Sequence, residues 1–197
     1  MNATKIKLSA TELDLVTNAD VLLTKNTIIG KVITAFGALA NDMEIAVTAS
    51  HLPQTIKAST PKIARGENYM GLPWVMLDYP RVFAKQDVFA IRTFFWWGNC
   101  VSVTLQLSGM YQQQFQAQLL EQLSTNDNEW LFCCNTQDAW QHHFEASNYK
   151  PFSQFNEQEL AQLPFIKLAK KIPLQEWDNI NDFITVTFKS LLQLLTT

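Results

Sequence analysis

Ile29, Val32, Ile33, Phe36, Leu39, Ala40 and Met43 recur at intervals of three and four, the signature of one buried face on a helix expected to start at Asn26. Ahead of it, Ser9 and Glu12 form a capping box, in which hydroxyl and carboxylate each satisfy an orphan backbone N–H. Leu13, Val16, Leu22 and Leu23 give a looser helical stripe behind that cap. Gly30 and Gly37 lie to one side of the main stripe and read as weak helix positions. From 51 to 73 the pattern breaks at Pro53, Pro61, Gly66, Gly71 and Pro73, so the stretch reads as a connection. Loops of that length inside compact domains are usually functional or disordered.

The period then becomes two. Strands are expected near 74–79, closed by Pro80, at 88–97 and at 100–107, with Gly98-Asn99 marking a hairpin between the last two. Val101, Val103, Leu105 and Leu107 alternate with Ser102, Thr104, Gln106 and Ser108, which implies one buried and one polar face. A two-residue turn puts Arg92, Phe94 and Trp96 on the buried face. A three-residue turn sets Arg92 opposite Gln106 and Phe94 opposite Thr104 on the polar face, and turns Ile91 and Phe95 inward. The dipeptide favours the first register; burying an arginine without a carboxylate favours the second, which is the one expected here.

Ser108 is placed to cap a helix whose Tyr111, Phe115, Leu119 and Leu123 form an i, i+4 stripe with glutamines facing water. After the polar turn over 124–129, residues 130–134 read as a buried strand, while 136–155 carry no readable pattern. Asn156 with Glu159 opens a short helix. Residues 165–172 alternate and carry Lys167, Lys170 and Lys171, the charge expected of a protected edge strand. A last helix from about Gln175 buries Trp177, Ile180, Ile184, Phe188, Leu191 and Leu195, although ITVTF inside it has strand propensity. The order of elements suits a single α+β domain over 1–197: an antiparallel or mixed sheet with a central meander, helices on one face and a long C-terminal helix.

Charged residues make up only 17% of the chain and the net charge is −3, with no basic block. A nucleic-acid partner is therefore not expected. A surface this poor in charge accommodates a buried homodimer interface. The first residues lack the parts of a signal peptide, and no apolar run approaches the roughly 18 residues that span a bilayer, so the expectation is a cytoplasmic protein without a membrane partner. Three cysteines, two of them adjacent, make no disulfide framework.

Two groups of residues could carry chemistry. Arg65, Glu67, Asn68 and Tyr69 offer a cation, a carboxylate, an amide and a phenol around Gly66, and Glu67 could serve as a base. Alternatively, Arg65 pairs Glu67 and the loop satisfies itself. Asp78, Arg92 and Gln106, one per strand, could form a polar row with Trp96 as a stacking wall, suited to an anion or carboxylate. The competing reading is a structural ion pair of Asp78 with Arg92 or Arg81. Cys133, Cys134, His142 and His143 match no zinc spacing, so no metal is expected; no cofactor signature, phosphate loop, GxSxG or HExxH occurs either. Trp96 and Trp97, adjacent on a strand, must face opposite ways; one is an exposed anchor or is covered by packing.

The segment NYMGLPWVMLDYPRVF together with FFWWGN resembles an uncharacterised family of bacterial proteins of about this length, to which no activity is attached. Function is therefore expected at a small polar ligand cleft between the 65–72 loop and an open sheet face. The alternative is an interaction or scaffolding domain acting as a homo-oligomer. Nothing in the sequence decides whether the protein is an enzyme.

Overall fold

The computed structural model describes residues 6–125 and 129–196, so the polar turn read over 124–129 falls partly outside it. Strands β1 (Lys62–Tyr69), β2 (Leu72–Phe83), β3 (Val88–Trp96), β4 (Cys100–Ser108), β5 (Leu131–Cys133), β6 (Tyr149–Pro151) and β7 (Ile166–Pro173) form one antiparallel sheet in the order β1-β2-β3-β4-β7-β5-β6. Helices α1 (Ala10–Thr17), α2 (Ala19–Ala49), α3 (Gln54–Lys57), α4 (Met110–Thr125), α5 (Glu157–Ala161) and α6 (Ile180–Thr196) complete the α+β architecture.

The core lies between one sheet face and α2, α4 and α6. Val75, Leu77, Ile91, Phe95, Val103 and Leu105 from the strands meet Val32, Phe36, Met43, Leu119, Ile184 and Phe188 from the helices. Each such side chain contributes on the order of 1.5–3 kcal/mol of transfer free energy. The order of the central meander and the capping boxes Ser9/Glu12 and Asn156/Glu159 are as the sequence implied, but β2 is not closed by Pro80: after an irregularity between Asp78 and Arg81 it pairs on to Phe83. In the β3–β4 hairpin, Arg92 pairs with Thr104 and Phe94 with Ser102, and Trp96 with Cys100 closes a turn over residues 97–99. The faces are those of the expected register, with the pairs two residues away from those expected, Gln106 and Thr104.

Several expectations need correction. The 51–73 connection contains α3 and β1, so Arg65–Tyr69 lie on an edge strand. Gly66 is a strand glycine because the Trp74 indole crosses it: a Cβ there would lie 2.7 Å from the ring. The long helix begins at Ala19 behind an Asn18 cap, not at Asn26, because the stripe of α1 stops at that asparagine. By length and composition α2 passes for a membrane span, with 33% of its most apolar window buried; no single run showed this because polar residues interrupt it. β7 is interior, between β4 and β5, and its Lys167 is 1% exposed. Ser108 donates to the Gln86 carbonyl, while the Asp87 carboxylate accepts the Met110 N–H and caps α4. Gln112 and Gln116 reach the carbonyls of Leu163 and Leu160. A 3-10 turn over Leu174–Asn179 precedes α6, leaving Trp177 44% exposed against Phe95.

At the entry to α4, Gly109 has φ +58°, and a Cβ there would lie 2.7 Å from the Gln86 carbonyl oxygen and closer still to Asp87. Gly109→Ala is expected to destabilise the protein by about 2–4 kcal/mol through left-handed strain and displaced capping. Urea midpoints of wild type and variant check this.

Candidate functional site

The second sheet face is not open. Residues 134–148, which contain no helix or strand, cross it as a strap, so β3 and almost all of β4 are buried on both faces. The positions that alternate as polar in β4, Ser102, Thr104 and Gln106, therefore lie inside the protein.

Irregular backbone inside a protein needs hydrogen-bond partners. The sheet supplies them. Arg92 makes a bidentate pair with Asp78, at 2.7 and 3.1 Å, and its remaining arm lies 3.2 Å from His142 Nε2. Tyr69 Oη accepts the backbone N–H of His142 at 2.6 Å and of His143 at 3.0 Å. Lys167 Nζ donates to the carbonyls of Ala139 (3.0 Å) and Gln141. Asn148, fully buried, donates to the His143 carbonyl at 2.6 Å. The His142 ring packs on Phe94, with centroids 4.9 Å apart, and Trp140 lies over the Arg92 guanidinium.

Electrostatics follow from this enclosure. Arginine can only donate, so His142 Nε2 must carry its lone pair and the ring is neutral. Burial, with Lys167 and Arg92 nearby, pushes His142 down to about 2. Burial also lowers Lys167 to about 8 and raises the Tyr69 and Tyr149 phenols. The Tyr149 hydroxyl is buried beside Thr104. This cluster is packed shut. Its donors and acceptors serve the strap, and Asp78 and Arg92 form the enclosed ion pair of the competing reading.

Where the strap leaves the sheet, a recess of about 240 Å3 is lined by Trp96, Asn99, Cys100, His143, Phe144, Glu145 and Lys171. β3, β4 and β7 place Trp96, Cys100 and Lys171 close together on this face, through the pairs Trp96 with Cys100 and Ser102 with Lys171. Trp96 is 8% exposed, yet its indole N–H has no acceptor among the described residues. His143 Nδ1 accepts the Glu145 N–H at 3.4 Å, which leaves its Nε2–H as a donor. With the Lys171 ammonium and the Asn99 amide, the recess has indole, imidazole, ammonium and amide donors and one carboxylate, Glu145. Burial pushes the Cys100 thiol up to about 11, so it is no thiolate nucleophile at neutral pH.

Of the residues singled out from sequence, Tyr69, Asp78, Arg92 and Trp96 come together on the strap face. Arg65, Glu67 and Asn68 do not: Glu67 pairs with Lys25 at 2.7 Å, Asn68 accepts the Gly71 N–H in the β1–β2 turn, and Arg65 is exposed. Trp97 is half-buried and packs edge-on to Phe95, so it is no exposed anchor. Among the described residues no group of three or more His, Cys, Asp or Glu could hold a metal. Lys167, Lys171, Glu145 and the true role of His142 and His143 were missed, because the strap has no pattern and β7 reads as an edge. The adjacent histidines in an amide-rich segment were the available signal.

No family model matches the chain, and comparison with curated proteins and with solved structures finds no match either.

Proposed function

We propose that the protein binds a small carboxylate-bearing molecule in the recess at the end of the strap, as a binding rather than a catalytic domain. One observation carries this reading: Trp96 lines the recess, and its buried indole N–H has no acceptor among the described residues. A buried donor left unmade costs roughly 1–3 kcal/mol, which an incoming oxygen recovers. Lys171 and His143 add donors for the same carboxylate, and Glu145 suits an amine on the same molecule. A free amino acid has both groups, and about 240 Å3 suffices for one. At the recess itself burial holds the Cys100 thiol up at about 11, which favours binding over turnover there.

The test is a thermal-unfolding screen of free amino acids, acetate and succinate against wild type and Trp96→Phe. The phenylalanine variant is expected to match wild-type stability without ligand and to lose the ligand-induced rise in midpoint. A ligand that stabilises both proteins equally, or no stabilising ligand at all, contradicts the assignment.

A further inference from the structure

α1 buries none of its residues, and the first third of α2 runs beyond the core with it. Leu13, Leu15, Val16, Leu22 and Leu23 are all at least half exposed. Exposed apolar side chains gathered in this number on a folded domain mark a contact surface. Further along α2 the outward positions Thr27, Thr34, Ala38 and Asn41 continue the stripe without a charge and end at Ile45, which is 71% exposed. Beside Ile45 a cavity of about 370 Å3 opens between α2 and α6, walled chiefly by Leu39, Met43, Ala46, Ala49 and Phe188.

We infer that this surface takes a second copy of the chain, with the two α2 helices antiparallel about a two-fold axis at Thr34. That placement sets Leu23 of each copy opposite Ile45 of the other and Thr27 opposite Asn41, so the stripe is complementary to itself, as a two-fold interface requires. It also sends the apolar arm of each copy past Ile45 to the partner's groove. Glu12 and Asp14 on the arm then approach the region of Lys57 and Lys189, where Asp42 and Glu44 are the neighbouring carboxylates. The helix stripe alone, about 33 Å long and about 10 Å wide, falls short of the roughly 800 Å2 per partner of a stable interface, so the arm is needed to complete it. Among the described residues, Gly30 and Gly37 have nothing within 4 Å of a Cβ position, which leaves room for the second helix.

Sedimentation of the full chain across micromolar concentrations tests the inference, with Thr34→Arg and Thr34→Cys. Wild type is expected to dimerise, and Thr34→Arg to weaken association at least about tenfold while keeping its helical circular dichroism. Thr34→Cys is expected to give a disulfide-linked dimer under mild oxidation, in a Cys134→Ser background. A monomeric wild type, a dimer indifferent to Thr34→Arg, or a Thr34→Cys variant that fails to cross-link overturns it. So does a monomer that pellets with phosphatidylcholine–phosphatidylglycerol vesicles, which assigns the arm to a lipid surface.

Discussion

Replacing Arg92 with methionine is expected to lower the stability of the protein by roughly 3–5 kcal/mol, the usual consequence of stranding one charge of a buried pair. Both partners are enclosed, the side chains of Arg92 and Asp78 being 7% and 11% exposed, and the pair is bidentate. The loss has two parts. Asp78 is left as a buried carboxylate without its cation, and His142 loses the donor that fixes its Nε2. The double variant Asp78→Leu/Arg92→Met removes the stranded charge and is expected to recover most of the deficit, because apolar replacements of buried pairs are often neutral. Urea unfolding of the four proteins gives the coupling energy directly. Additive single effects would mean that the two side chains act independently.

The second large effect is acid lability centred on His142. Its folded value, about 2, lies far below the ordinary value of about 6.5, so the unfolded chain binds the proton and the folded one does not over that interval. Stability from this group is therefore complete above about pH 6.5 and declines as the pH falls, by at most about 1.4 kcal/mol per pH unit. Between pH 6.5 and 4.5 the loss is expected to reach about 2–3 kcal/mol. His142→Asn keeps an acceptor for Arg92 without a titrating ring and is expected to flatten the slope across that window. Lys167 has the same sign higher on the scale: its lowered value of about 8 means that stability rises between pH 8 and its ordinary 10.5. Unfolding midpoints in urea from pH 4.5 to 9.5 check both. A profile that is flat between 6.5 and 4.5 in wild type contradicts the neutral, enclosed His142.

The same enclosure explains which parts of the protein were legible in the sequence. The helix stripes of α2, α4 and α6 and the period-two meander were readable because one period per element decides which side faces the core. The face of Arg92 came out as expected, but not for the expected reason: the arginine is buried there all the same, with Asp78 as its carboxylate partner. Three things were hidden. The strap has no period, because its backbone is satisfied by side chains from distant strands: Tyr69, Arg92 and Lys167. β7 looked like an edge because its lysines resembled edge protection, whereas Lys167 turns inward to hold two strap carbonyls. β1 looked like a loop because Gly66, a usual strand breaker, makes room there for the Trp74 ring. For the candidate site, Trp96 was singled out from the sequence, and it lines the recess. Its unpaired N–H and the neighbours Lys171, His143 and Glu145 depend on long-range pairing that no local pattern encodes.

The most direct measurement is a 1H–15N spectrum of the protein titrated with free amino acids. Six tryptophans give six indole N–H signals, and the one lost in Trp96→Phe belongs to the recess. The account predicts that this signal moves downfield and saturates with one of the ligands, while the His142 amide, held by Tyr69 under the strap, stays where it is. An indole signal that never moves, with every ligand present in excess, would contradict a binding site at Trp96.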